Sequence, residues 1–269
     1  DQYDDDLINP ISIPASVGSI GSRAFANCES INTIIFDSNK VKYEEDTFYN
    51  CINLKEAFIE TIDCFISGNL LYISSLENVH ICDDVEKINE FAFLNMISLK
   101  RITFYNNSMR DGMPINSIIT DIGKGAFKNC TSLENITIPV INKIEKDTFD
   151  SCLRLTNIII PSTVNEIDER SFYHCSSLKE ISIPSSVKFV RNNVFTNCTE
   201  LYKLTMFSDK TKFSENVFEN CDSLKYLEFK NGSVNITANY YYSIPNLSEI
   251  SIPSSITSIE NDAFKGCAS

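Results

Sequence analysis

Ten cysteines and two histidines are the residues of this 269-residue chain whose types best suit chemistry. Thiolates and imidazoles could together hold a zinc ion, exchange disulfides or pair as nucleophile and base. Their spacing argues against each of these. Eight cysteines stand at 28, 51, 130, 152, 175, 198, 221 and 267, separated by 23, 79, 22, 23, 23, 23 and 46 residues. Zinc and redox motifs pair cysteines about two to four residues apart, and no Cys-x-x-Cys occurs here. Cys64 and Cys82 fall outside the rhythm, with His80 two residues before Cys82. No second histidine lies at ligand spacing, and alternation along an extended segment sends His80 and Ile81 to opposite faces. His174, beside Cys175, reads as a surface histidine. Gly-rich phosphate loops and a Gly-x-Ser-x-Gly elbow are absent, and the carboxylates are scattered through variable positions. Asp4, Asp5 and Asp6 read as a solvated terminus rather than a calcium site. The expectation is a protein with no catalytic residues, no cofactor and no metal.

The elements that carry the cysteines repeat with them. Phenylalanines three positions earlier keep the same clock at 25, 48, 127, 149, 172, 195, 218 and 264. Phe93 holds the phase while Met96 takes the cysteine slot, and Tyr241 and Ile244 fill both slots near the end. Units open at Ile8, Ile31, Leu54, Leu76, Leu99, Leu133, Leu155, Leu178, Leu201, Leu224 and Leu247, which makes eleven. Each opens Leu-x-x-Ile-x-Ile, whose alternation and β-branched content predict a short strand. Proline follows at 14, 139, 161, 184 and 253, and Cys82 occupies that slot in its own unit. Proline has no N–H to donate and so stops the strand. A second apolar pair, such as Val164 and Ile167, predicts another brief extended segment, and the Phe-x-x-Cys stretch suits one helical or 3₁₀ turn. A unit of about 23 residues cannot bury so many apolar side chains alone, but stacked units can.

The text Leu-x-x-Ile-x-Ile-Pro-x-Ser-Val-x-x-Ile-x-x-x-Ala-Phe-x-x-Cys resembles the BspA-like leucine-rich repeats, over residues 8–269. That resemblance implies a right-handed solenoid of about eleven coils. A parallel β-sheet would line its concave side, with short strands and 3₁₀ turns on the convex side. It also implies surface or secreted proteins that adhere to host matrix. The third unit departs most, since Phe65 to Leu76 lacks the Val-x-x-Ile and Phe-x-x-Cys text. Residues 1–7 form an acidic N-terminal segment, and 105–117 are an insertion whose Gly, Pro and Asn content predicts a loop.

In such a solenoid, equivalent cysteines stack side by side about 4.8 Å apart. That separation permits a disulfide, but parallel orientation favours a ladder of buried thiols. The residue between the two isoleucines points onto the concave face, and Ile35, Phe58 and His80 are consecutive and atypical in that column. Together they predict an apolar strip, with Glu56 and Arg101 beside it and a weaker aromatic pair at Tyr202 and Tyr226. Exposed apolar patches often mark contact sites. Ordinary β propensity, with cover from the third unit, is the plain alternative.

Charge sets further bounds. Lys and Arg number 23 against 36 Asp and Glu, a net −13, which disfavours nucleic acid and anionic lipid as partners. No apolar run is long enough to span a membrane as a helix. Asn-x-Ser/Thr occurs at Asn106, Asn129, Asn135, Asn197, Asn231, Asn235 and Asn246, a number this composition produces by chance. The expected function is non-enzymatic binding of a protein or extracellular-matrix ligand through the concave sheet, at the cell surface or after secretion. An intracellular interaction scaffold is the alternative. The C-terminal coil carries no polar cap, so the expectation is either that a longer chain continues from it or that the open end associates with itself.

Overall fold

The computed structural model describes residues 10–14, 16–36, 41–59, 73–82, 85–105, 119–208, 210–230, 235–236, 244, 246–265 and 267. The expected acidic segment and the body of the 105–117 insertion lie outside them, as does Cys64. Each unit is one coil, numbered here from 1 at Ile8 to 11 at Leu247.

Equivalent strands pair in parallel one repeat apart. Ile11–Ile13, Thr33–Phe36, Glu56–Ile59, Asn78–Cys82, Arg101–Tyr105 and Asn135–Ile136 form one concave sheet, and Glu180–Ile183, Lys203–Met206, Tyr226–Phe229 and Glu249–Ser251 form a second. Alternation along these strands is the physical cause of the solenoid. Ile181 and Ile183 are buried while Ser182 between them is exposed, so each strand gives one face to the core and one to solvent. The opening leucines, from Leu54 to Leu224, are fully buried behind them.

A second ladder of two-residue strands runs along the flank, continuous from Lys143–Ile144 through Glu166–Ile167 and Phe189–Val190 to Lys212–Phe213. Among the described residues nine coils carry both strands. Coil 3 has no described flank strand and coil 7 has no concave one. The structure therefore supports nine regular turns rather than the eleven expected.

Between the two concave sheets, coil 7 keeps its core but loses its ladder. Ile158 and Ile160 remain buried, yet Ile159 between them is 75% exposed. The neighbouring backbone bonds are two long ones at Thr156, from its N–H to Glu134 O (3.4 Å) and from Lys179 N–H to its own carbonyl (3.3 Å). The flank ladder holds this coil in register while the concave side is open.

The convex turn is not the helical or 3₁₀ turn expected, and no described residue is helical. The described turns of coils 1, 2 and 4 to 9 instead carry left-handed residues on both sides of the phenylalanine. Asp46 and Asn50 flank Phe48, Asn193 and Asn197 flank Phe195, and Asn216 and Asn220 flank Phe218, all at φ between 57° and 64°. Two such residues within five break any helical run, and asparagine tolerates that conformation best among residues with side chains. The freed backbone bonds cross to the next coil, as in Phe195 N–H to Val217 O at 2.9 Å and Asn197 N–H to Glu219 O at 2.9 Å.

In the last coil Ile250, Ile252 and Ile259 are 37%, 44% and 49% exposed, while Leu227, Phe229 and Ile236 one repeat earlier are buried.

Candidate binding face

The cysteine ladder proves to be structural. All nine described cysteines are thiols. Each fully stacked one donates to the phenylalanine carbonyl of the preceding coil, as Cys152 Sγ does to Phe127 O (3.2 Å), Cys175 to Phe149 O (3.2 Å) and Cys198 to Phe172 O (3.3 Å). Burial pushes the Cys221 thiol up to about 12 and raises Cys130, Cys152, Cys175 and Cys198 further. Thiolate is the reactive form, so these sulfurs are inert. Ellman's reagent at pH 8 should leave Cys51, Cys130, Cys152, Cys175, Cys198 and Cys221 unmodified in the folded protein. All six should react after unreduced denaturation, and persistent protection in denaturant would mean disulfides. Among the described residues no group of three or more His, Cys, Asp or Glu could hold a metal.

The concave strip assembles in register. Ser12, Ile35, Phe58, His80 and Thr103 are direct cross-strand partners. Phe58 stacks on His80 with ring centroids 4.4 Å apart and planes 15° from parallel. His80 is less apolar than the strip expected. One ring nitrogen, Nδ1, lies 2.7 Å from Thr103 Oγ1, and Nε2 lies 2.7 Å from Glu56 Oε2. The other oxygen of Glu56 accepts from Asn78 Nδ2 at 2.5 Å. Three coils thus tie one carboxylate, one imidazole and one hydroxyl into a fixed network beneath a half-buried aromatic. Thr103 and Asn78 were not singled out as site residues. Their only sequence signal was their place in the two outward columns.

Arg101 stands exposed at the edge of this group, beside Asn78 in register. Tyr202 and Tyr226 meet edge to face at 6.2 Å on coils 9 and 10, and the Tyr202 hydroxyl donates to Glu180. That bond to a carboxylate pushes the Tyr202 phenol above its ordinary value. The candidates therefore fall into two groups, one on coils 2–5 and one on coils 9–10.

Sequence reasoning missed a charged cluster on the convex side. Asp150, 1% exposed, accepts from Lys128 Nζ and Arg170 Nη2, both at 2.8 Å, and from Ser151 Oγ at 2.8 Å. Arg170 also lies 3.3 Å from Asp147 and 4.3 Å over the ring of Tyr173. Its members come from three coils and occupy shared slots, Lys128, Asp150 and Tyr173 just after the ladder phenylalanine and Asp147 and Arg170 two before it. The residue types in those slots change from coil to coil, so no recurring text marks them.

A protein-family model for the BspA type leucine-rich repeat region matches residues 2–112, 103–225 and 142–269, with six copies. Among curated proteins none matches the chain. Of solved structures, a leucine-rich repeat protein from Bacteroides ovatus is 22% identical, with a TM-score of 0.55, over 96% of this chain and 72% of its own. A leucine-rich repeat protein of T. pallidum is also 22% identical, with a TM-score of 0.43, over 71% of this chain and 76% of its own. At this identity the Bacteroides likeness concerns the fold alone. No catalytic family is indicated, and no described helix is long and apolar enough to cross a membrane. With model matches running from residue 2 to residue 269 and a fold of stacked parallel coils, the chain belongs to the BspA-type leucine-rich repeat family.

Proposed function

We propose that the chain is a non-enzymatic binding module, at the cell surface or secreted, that engages a protein or matrix ligand through its concave sheet. The observation that carries this is the in-register row Ile35–Phe58–His80, with its polar atoms fixed by Glu56, Asn78 and Thr103. A prearranged patch loses little side-chain freedom on binding, so more of the contact energy appears as affinity. Charge does not oppose a partner there. The outward concave positions hold Lys55, Lys100, Arg101, Lys179, Lys203 and Lys225 against Glu56, Glu77, Glu134, Glu180, Glu228 and Glu249, six of each sign. The surplus of 13 negative charges therefore lies elsewhere on the chain.

Adhesion and surface location draw support from the family alone. The intracellular scaffold draws its support from the nine thiols, since disulfides persist in oxidising compartments. Localisation of the tagged protein in its source cells separates the two.

The concave face is tested by panning a displayed random dodecapeptide library against the wild-type chain. Enriched peptides should bind the Phe58→Asp variant at least about tenfold more weakly, because a charge replaces the apolar centre of the patch (about 1.4 kcal/mol). They should bind Ile97→Asp normally, since Ile97 is exposed away from the concave sheet. Equal binding to Phe58→Asp would remove the strip from the proposal.

A further inference from the structure

The concave charges are balanced in number but not in engagement. Glu56 is held by His80 and Asn78, and Glu77 by Lys55 (2.9 Å) and Lys100 (2.5 Å). Glu134 pairs with Arg154 at 2.8 Å, Glu180 accepts from Tyr202, and Glu228 is held by Lys203 at 3.0 Å and by Lys230. Five of the six glutamates are thus engaged by neighbouring side chains. Among the described residues Arg101, Lys179 and Lys225 are exposed and form no ion pair or hydrogen bond through their side chains.

Their positions matter as much as their freedom. Arg101 borders the Ile35–Phe58–His80 row. Lys179 and Lys225 lie on the coils either side of Tyr202, and Lys225 immediately precedes Tyr226. Each aromatic group on the concave face is therefore edged by unsatisfied positive charge, in a chain that is strongly acidic as a whole.

Resting on the concave-face reading above, we infer that this surface recognises an acidic polypeptide segment whose apolar or aromatic side chains are interspersed with carboxylates. Its side chains would seat on Phe58 and on the Tyr202–Tyr226 pair while Arg101, Lys179 and Lys225 take the carboxylates. Coils 3 and 10 are seven steps apart, about 34 Å at about 4.8 Å per strand, which about ten extended residues span. Guanidinium and ammonium groups at the margin add charge-assisted bonds that weaken with salt.

The test measures binding of the 269-residue chain to a random Glu–Tyr copolymer, to poly-glutamate and to heparin by biolayer interferometry at two salt concentrations. The Glu–Tyr copolymer should bind at least about tenfold more tightly than poly-glutamate, and less tightly at the higher salt. Arg101→Glu, and Lys179→Glu with Lys225→Glu, should each weaken that binding about tenfold, with melting temperatures unchanged because these side chains are exposed. Lys212→Glu, on the flank ladder, should bind as the wild type does. Heparin binding as tight as the copolymer would overturn the inference in favour of a polysaccharide. Charge reversals without effect would also overturn it. If peptides selected from the library still depend on Phe58 in that case, the concave-face reading stands and this inference alone falls. If they do not, both fall.

Discussion

Truncation of Phe195 to alanine is expected to destabilise the protein by about 3–5 kcal/mol. Its ring is fully buried and stacks between Phe172 at 5.5 Å and Phe218 at 5.7 Å, with planes within 10°. A column of rings cannot collapse around a missing member, because the backbone of each coil is tied to its neighbours. Phe195 N–H bonds to Val217 O, and Cys221 Sγ bonds to Phe195 O. The cavity therefore stays open, which places the cost in the upper part of the range for large-to-small core changes. At roughly 2–4 °C per kcal/mol for a chain of this size, the melting temperature followed by circular dichroism should fall by about 6–20 °C. Phe195→Leu, which keeps most of the volume, should lose less than half as much. A fall of under about 3 °C for the alanine variant would show that the ring column does not carry the stability assigned to it.

Replacement of Asp150 by asparagine is expected to cost about 2–3 kcal/mol at neutral pH. Removing one partner of a buried pair usually costs about 3–5 kcal/mol because the other charge is left uncompensated. Here Lys128 and Arg170 are partly exposed, and water recovers some of that loss. Burial pushes the Asp150 carboxyl up, but hydrogen bonds from Lys128, Ser151 and Arg170 more than reverse it and hold it below its ordinary value. A carboxyl depressed in the folded state contributes its stability above the unfolded value, near 3.9. That contribution disappears as pH falls through the folded value. Urea denaturation should therefore show the two proteins furthest apart at pH 7 and converging in acid below about pH 4. A gap that stays constant from pH 7 to pH 3 would mean that the loss is one of shape rather than of charge.

The parts legible before folding are the parts that repeat. Leu178, Ile181, Ile183, Val187, Val190, Phe195 and Cys198 are all buried as their spacing requires, and the register Ser12–Ile35–Phe58–His80–Thr103 follows the unit starts. The turn after the second strand departs from the helical expectation because the residue before the ladder cysteine is left-handed. Asn27, Asn50, Asn95, Asn129, Asn197 and Asn220 occupy that position, each left-handed, and neighbouring ones join through their amides, as Asn220 Nδ2 does to Asn197 Oδ1 at 2.8 Å. That recurrence of Asn before the ladder residue was a readable signal for a turn rather than a helix.

Sequence alone thus determined the family, the stacking register, the core columns, the stacking of the cysteines and which residues face the concave side. Inward slots are decided by burial, and burial at a fixed period is a one-dimensional pattern. Only the tertiary structure decided what the outward residues do with one another. It joined Glu56, His80 and Thr103 across three coils, engaged five concave glutamates while giving Arg101, Lys179 and Lys225 no ion pair among the described residues, gathered Lys128, Asp150 and Arg170, and opened the sheet at Ile159. Those outcomes depend on rotamers and on which residue type fills a variable slot about one repeat away, and those types do not recur from coil to coil. Solvent leaves such side chains several choices, and only neighbours in space select among them.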